Sequence, residues 1–337
     1  MNLQLLYSLI IFCLAFVTST YAVISPEIYW KVKLPNTQIP KVIKDFLSQS
    51  EGDIRELKQD KTNTKEKVYY GLHQHGILVY HVATEDEIRD IKKEIPSMNH
   101  ATIKSDVQDD FLYKPYFLEN DLAKRKVINF PSFKNKNEAP FLSRQFVESI
   151  PFSLKKIPEI LNHFSIDSSS KNAQTIEETI KFCEELEVKH KEKKSCATSL
   201  ESMVDFSLSM LGTNNILAIT TEVQGETPML QKYTIEEVQQ IGDGDNMVCH
   251  KLNYAYAVHF CHVGGRTKTF SVSMIGADGT KVKAISVCHK DTSLWNPRGL
   301  PFVVLKVKPG TTPICHFLQD DQIVFIPSKE ATNYAIS

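Results

Sequence analysis

Phe270-Ser271-Val272-Ser273-Met274-Ile275-Gly276-Ala277-Asp278-Gly279-Thr280-Lys281-Val282-Lys283-Ala284-Ile285-Ser286-Val287-Cys288-His289 is the stretch that decides the fold. Residues alternate in character from Phe270 to Ile275 and again from Lys281 to Val287, the period-two pattern of a strand with two unlike faces. Between the runs stands Gly276-Ala277-Asp278-Gly279, residue types that accept the positive φ of a tight turn. The stretch therefore predicts an antiparallel hairpin. It ends in the dipeptide Cys288-His289, and strand neighbours point to opposite faces, so sulfur and imidazole should leave this strand on different sides.

The dipeptide recurs. Cys249-His250, Cys261-His262, Cys288-His289 and Cys315-His316 follow the spacing CH-x10-CH-x25-CH-x25-CH, and they use four of the 11 histidines in the chain. Such pairs can build a disulfide-stapled layer with a histidine cluster on its reverse side. Four neutral imidazoles suit copper or zinc rather than magnesium or calcium, which prefer oxygen. A zinc site using all eight groups fits poorly, because the spacings are unlike C-x2-C and an oxidising compartment favours disulfide over thiolate. The other reading makes His250, His262, His289 and His316 hydrogen-bonding supports of the staple.

Upstream, the pattern changes to helices. Pro140 to Ile150 and Pro158 to Phe164 read as short helices with proline in the first turn. Thr175-x-x-Glu178 is expected to cap a helix carrying Ile176, Ile180, Cys183 and Leu186 on one side. Thr198-x-x-Glu201 is expected to cap another, with Leu200, Met203, Val204, Leu208 and Leu211 at helical spacing and Gly212 at its end. Beyond the hairpin, Phe302 to Lys308 reads as one more strand, ended by Pro309-Gly310. Helices first and an antiparallel, strand-rich half second make an α+β fold. Near the N-terminus, Ser25 to Thr37 reads as extended, turn-rich chain and Ser48 to Lys67 as a polar linker. Val68 to Leu72 and Ile77 to Val82 look like two short strands turning at Gly76, and Thr84-x-x-Glu87 opens a helix that Pro96 stops.

Leu5 to Val17 is an apolar run followed by Thr18-Ser19-Thr20-Tyr21-Ala22, the form of a secretory signal cleaved after Ala22. The run is too short to span a bilayer. Cleavage removes Cys13 and turns an odd seven cysteines into six: Cys183, Cys196, Cys249, Cys261, Cys288 and Cys315. Cys183 and Cys196 are close enough for a local bridge, but six cysteines allow about fifteen connectivities. The expectation is export, with no membrane association once the signal is gone. There is no N-glycosylation sequon after residue 22. With 39 Lys and Arg against 40 Asp and Glu, the charge is −1, which excludes the basic footprint of a nucleic-acid binder. No G-x-S-x-G, P-loop or H-E-x-x-H occurs, so hydrolase and nucleotide readings lack support. Acidic pairs such as Glu184-Glu185 and Asp320-Asp321 read as solvated faces, and His259 as a core or surface histidine sharing the face of Cys261.

The four Cys-His pairs resemble the signature of the plant BURP-domain family. Tyr116-Phe117-Leu118-Glu119-Asn120-Asp121-Leu122 looks like the family's opening motif. Glu148-Ser149-Ile150-Pro151-Phe152-Ser153 and Cys196 to Met203 look like its middle blocks, and Gly276 to Thr280 and Trp295-Asn296-Pro297 match segments around the third pair. Pro26 to Thr37 is similar to the N-terminal region of the unknown-seed-protein branch. The chain departs from the family at Ala123-Lys124-Arg125-Lys126, where a glycine is usual, and at Ser143, often a proline. On this resemblance residues 1–22 are a signal peptide, 23–106 a variable region and 107–337 the BURP domain.

The resemblance implies an exported protein of the cell wall, the extracellular space or a storage vacuole, linked to seed development or stress. Its partners would be cell-wall components or a precursor peptide. It also implies copper on His250, His262, His289 and His316. Some members are copper-dependent cyclases that join a Tyr or Trp side chain to another residue of a core peptide. Known cores often begin with Gln and finish at an aromatic residue, a form that Gln74-His75-Gly76-Ile77-Leu78-Val79-Tyr80 shares, with Leu78 and Tyr80 as the coupled pair. The plainer reading makes Ile77 to Val82 one strand of a hairpin. Two functions follow: a stapled, copper-holding protein of the seed and stress type, or an oxidative peptide cyclase acting on itself or in trans.

Overall fold

Two antiparallel sheets carry the Cys-His pairs, and helices pack on the outer face of one of them. The computed structural model describes residues 24–47, 67–73, 76–83 and 116–329, apart from 132, 135–138, 190–193, 226–229, 265, 294, 296 and 298. In chain order the elements are α1 (Pro26–Lys33), α2 (Lys41–Leu47), β1 (Lys67–His73), β2 (Gly76–Ala83), β3 (Phe117–Leu118) and β4 (Val127–Pro131). Then come α3 (Arg144–Glu148), α4 (Ile157–His163), α5 (Lys171–Lys189), β5 (Lys194–Ala197), α6 (Leu200–Leu211), β6 (Ile216–Ile219) and β7 (Glu222–Gln224). The rest is β8 (Leu230–Gly244), β9 (Met247–Leu252), β10 (Val258–Val263), β11 (Thr267–Gly276), β12 (Lys281–His289), α7 (Leu300–Leu305), β13 (Ile314–Phe317) and β14 (Ile323–Pro327). The α+β reading holds: few helices, then a strand-rich antiparallel half held by three disulfides.

One sheet has five strands in the order β5-β10-β9-β14-β6, and the other seven, β3-β13-β12-β11-β8-β4 with β7 beside β12. Between them lies an apolar layer drawn from both, with Val248 and Ile326 of one sheet meeting Ile241, Ile285 and Val287 of the other. The outer faces are covered differently. Over the five-stranded sheet, Cys249, Cys261 and Phe325 pack against α6 and the N-terminal helices through Met203, Trp30 and Phe46. Over the seven-stranded sheet, Cys288 and Cys315 join Phe130, Phe133 and Tyr233. The alternation of β12 explains the split, since Ala284 and Cys288 face out while Ile285 and Val287 face in. The opening hairpin forms as β11–β12, in register from Thr267–His289 to Ile275–Lys281, with Gly279 at φ +87° in the turn.

Several local expectations need correction. Ser25 to Thr37 is not extended: α1 starts at Pro26, Ser25 Oγ accepts from Ile28 N, and Trp30 is fully buried. The serine-proline start is a helix signature, and Trp30 and Leu34 are spaced to share one face. Phe302 to Lys308 is not a strand. Pro301 sits in the first turn of α7, and the helix stops at Lys306, whose φ is +55°. The predicted 140–150 helix shrinks to α3, because Pro140 stays extended and its carbonyl accepts from Ala257 N. The start of α5 lies before Thr175, with Ser170 Oγ accepting from Ala173 N, and the cap of α6 is Ser199 paired with Ser202. Within α5, the Thr179 hydroxyl donates across to the Asn253 carbonyl. Gly212 closes α6 at φ +64°, as expected. The strands at 68–72 and 77–82 form β1 and β2, paired antiparallel. The signal segment, most of the polar linker and the helix expected after Thr84 lie outside the described residues.

Both family departures keep their local turn. Arg125 takes φ +69°, a region that favours glycine, and its N–H is bonded to the Ile235 carbonyl. Ser143 has φ −61°, the value a proline ring enforces.

Candidate metal centre

Strand register brings the histidines together two by two. In β9–β10, Cys249 lies opposite Cys261 and the two are disulfide-bonded with Cα atoms 4.0 Å apart. In β12–β13, Cys288 lies opposite Cys315 in the same way, also at 4.0 Å. The third bridge joins Cys183 of α5 to Cys196 of β5. With each sulfur pair on an outer face, the following histidines point into the layer between the sheets. Each pair sits diagonally across its ladder: His250 is opposite Phe260 and His262 opposite Val248, while His289 is opposite Ile314 and His316 opposite Val287.

The four rings close a loop. Centroids lie 5.4 Å apart for His250–His262, 5.8 Å for His262–His289, 5.5 Å for His289–His316 and 5.6 Å for His316–His250. One contact runs within each sheet and two cross between sheets, so neither sheet alone makes the cluster. His250, His262, His289 and His316 are 2, 2, 3 and 1% exposed. Burial pushes the His316 imidazolium down to about 4, so at neutral pH that ring is uncharged.

His250 Nε2 lies 3.3 Å from His262 Nε2, and His289 Nε2 lies 3.3 Å from His316 Nε2. Two nitrogens bound to one tetrahedral metal at the usual metal–imidazole length stand about 3.3–3.4 Å apart. Each pair therefore has the spacing of two ligands on one ion. Among the described residues no three His, Cys, Asp or Glu side chains converge as a finished cage. What the site offers is two pre-set pairs facing each other across the sandwich.

Aromatic, small and polar residues surround the four rings. Trp295 packs edge-on to His289 with centroids 5.1 Å apart, and Tyr116 packs edge-on to His316 at 6.3 Å. Gly264 backs His289: a Cβ there would stand 2.8 Å from His289 Nδ1 and 2.6 Å from Thr267 Oγ1. Lys194 stands opposite His262 in the β5–β10 register, and burial lowers its ammonium to about 8. His250 Nδ1 lies 3.0 Å from Gln322 Oε1, and His316 Nδ1 lies 3.3 Å from the Phe317 carbonyl. Trp295 and Tyr116 stand in the quoted motifs, but nothing in the sequence marks Gln322 or Gly264, whose roles depend on strands that pair far along the chain.

His259 belongs to the opposite face. It is fully buried, stacked on Phe141 and bonded through Nε2 to the Asp321 carbonyl at 3.1 Å. Burial, helped by the Lys251 charge, lowers its imidazolium to about 3. Lys251 lies opposite it in register, 3.8 Å from Asp321 Oδ2 and over the Phe46 ring. Asp321 is thus not a solvated surface acid but half of a buried ion pair. Of the candidate core residues, Gln74 lies outside the described residues; Leu78 and Tyr80 stand on β2, which runs beside β9.

A family model described as the BURP domain matches residues 115–327. BURP domain-containing protein 3 of Oryza sativa subsp. japonica is 43% identical over 68% of this chain and 54% of its own length. BURP domain protein RD22 of Arabidopsis thaliana is 42% identical over 67% of this chain and 59% of its own length. The chain therefore spans little more than half of these two relatives. BURP domain-containing protein 5 of Oryza sativa subsp. japonica is 35% identical over 91% of this chain and 88% of its own length. Among the described residues no helix is long and apolar enough to cross a membrane.

Proposed function

We propose, from the premise that the chain belongs to the BURP-domain family, that it is an exported, disulfide-stapled protein of the seed and stress type with a copper site. The observation that carries this is the closed loop of His250, His262, His289 and His316, with Nε2 atoms paired at 3.3 Å inside a buried layer. An all-imidazole donor set suits copper or zinc, and among divalent first-row ions copper binds such nitrogens most tightly. Three bridges using all six cysteines after Cys13 fit an oxidising compartment, the cell wall, extracellular space or storage vacuole. Bound there, copper would supply one-electron redox chemistry with dioxygen. The chain's own part is to hold four neutral nitrogens, fix their spacing through two staples and keep water away.

Copper measurement tests this. Purified protein is stripped, incubated with copper(II), dialysed and measured by mass spectrometry of the metal. The wild type should retain copper, and the double variant His250→Ala/His289→Ala should lose it with its three disulfides intact. Equal retention by the double variant would overturn the proposal.

The position of β2 beside β9, the strand of His250, favours a second reading. Here the protein is an oxidative peptide cyclase that couples Tyr80 to a side-chain carbon such as that of Leu78. One hydrogen leaves each partner, and dioxygen takes up both electrons and both protons as hydrogen peroxide. After incubation with copper under air, the digest fragment containing Gln74 and Tyr80 should be lighter by two hydrogens. An unchanged mass there rejects self-cyclisation and leaves action in trans on a precursor peptide.

A further inference from the structure

We infer that Gln322 sets the tautomer of His250, and that the metal-free cluster is divided into two proton acceptors, His250 and His316, and two donors, His262 and His289. This deepens the metal-site reading and rests on it for its purpose, though not for its geometry.

A carbonyl oxygen only accepts hydrogen bonds, so the nitrogen facing it must carry the proton. Gln322 Oε1 is 3.0 Å from His250 Nδ1. His250 is therefore protonated at Nδ1, and a neutral imidazole has one proton, which leaves the lone pair on Nε2. That lone pair is aimed at His262 Nε2, 3.3 Å away, so His262 donates. The same logic runs through His316, whose Nδ1 faces the Phe317 main-chain carbonyl and whose Nε2 faces His289 Nε2. One acceptor of each pair is thus held in ligand form in advance, His316 by the backbone and His250 by a side chain.

Gln322 is itself held from several directions. The β9–β14 ladder pairs Ile323 with Cys249, and one more step of that register sets Gln322 beside His250 and Asp321 beside Lys251. Asp321 is anchored on the outer face through its carbonyl to His259 and its carboxylate to Lys251. The Gln322 N–H donates to the Gln319 carbonyl at 3.2 Å, which closes the turn entering β14. Consecutive residues of this turn thus read the two faces of one sheet. Asp321 locks the turn, and Gln322 orients the ring. Gln322 is a positioning residue; it need not touch the metal. Hydrogen-bond partners of this kind commonly change metal affinity by about 10–100-fold when removed.

The test begins on metal-free protein with 15N-labelled histidine, where long-range 1H–15N spectra distinguish the two tautomers. His250 should show the proton on Nδ1. Gln322→Met keeps the bulk and removes the acceptor, so His250 should shift toward the Nε2–H form and copper(II) affinity should fall about 10–100-fold. Gln322→Glu restores an acceptor and should return both readouts toward wild type. A wild-type His250 protonated on Nε2, or a Gln322→Met protein with unchanged tautomer and affinity, overturns the inference. If the tautomers are as expected but the wild type takes up no copper, the metal proposal fails while the assignment of Gln322 stands.

Discussion

Trp30→Ala would test whether the N-terminal helices are part of the core. Trp30 is fully buried, its Nε1 donates to the Thr37 carbonyl at 2.8 Å, and Thr37 Oγ1 donates onward to the Ile216 carbonyl of β6. A buried tryptophan removes about 150–250 Å² from water. At roughly 25 cal/mol per Å² this is about 4–6 kcal/mol, and a compact unfolded chain reduces it by about 10–40%. Truncation should therefore cost about 4 kcal/mol, within the range of roughly 3–5 kcal/mol seen for large aromatic residues in cores. That is a change of about a thousandfold in the folding equilibrium constant. Urea unfolding under non-reducing conditions measures it. Only two tryptophans exist, so emission from Trp295 reports directly on the variant. Trp30→Phe keeps most of the apolar contact and loses the hydrogen bond, so it should cost about 1–2 kcal/mol. A loss below about 1 kcal/mol for Trp30→Ala would refute the placement of α1 in the core, since that is the scale of a surface change.

Three other outcomes are expected. Cys249→Ser/Cys261→Ser and Cys288→Ser/Cys315→Ser, which remove bridges closing separations of 12 and 27 residues, should each lose about 3–4 kcal/mol in urea unfolding, and non-reducing peptide maps should show three linkages in the wild type and the two remaining ones in each variant. His259 is held near 3, below its ordinary 6.5, so only the unfolded chain binds a proton between those values. Stability should fall as pH drops from about 6.5 toward 3, by up to roughly 1.4 kcal/mol per pH unit from this group, and His259→Gln should flatten that slope in denaturant titrations at pH 7 and pH 4. Gly264→Ala should crowd His289 Nδ1 and weaken copper(II) binding about 10-fold or more in a competition titration, and unchanged affinity would show that the ring can move aside.

What could be read from the chain follows from the range over which each signal acts. The β11–β12 hairpin is legible because its turn and both its strands are contiguous. The opposite facing of Cys288 and His289 is legible because pleating is a property of neighbours. The cap of α6 is misplaced by one residue because Thr198 and Ser199 are both competent caps, and only the entry direction of the chain selects Ser199. α7 is misread because Phe302-Val303-Val304 suits a strand, whereas Pro301 and the packing of Phe302 beside Trp295 favour a short helix. Asp321 looks like a surface acid until Lys251 is brought beside it.

The sequence by itself determined the alternation that separates sulfur from imidazole, the repeat of that alternation four times, and a resemblance carried by contiguous motifs. Only the tertiary structure decided which cysteines pair, that two histidines from each sheet meet in one buried loop, and that Gln322 stands against His250. The physical reason is that pleat and turn are fixed by adjacent residues. Strand register and sheet-on-sheet packing, by contrast, are fixed by burial summed over residues far apart in the chain, and no local pattern records that sum.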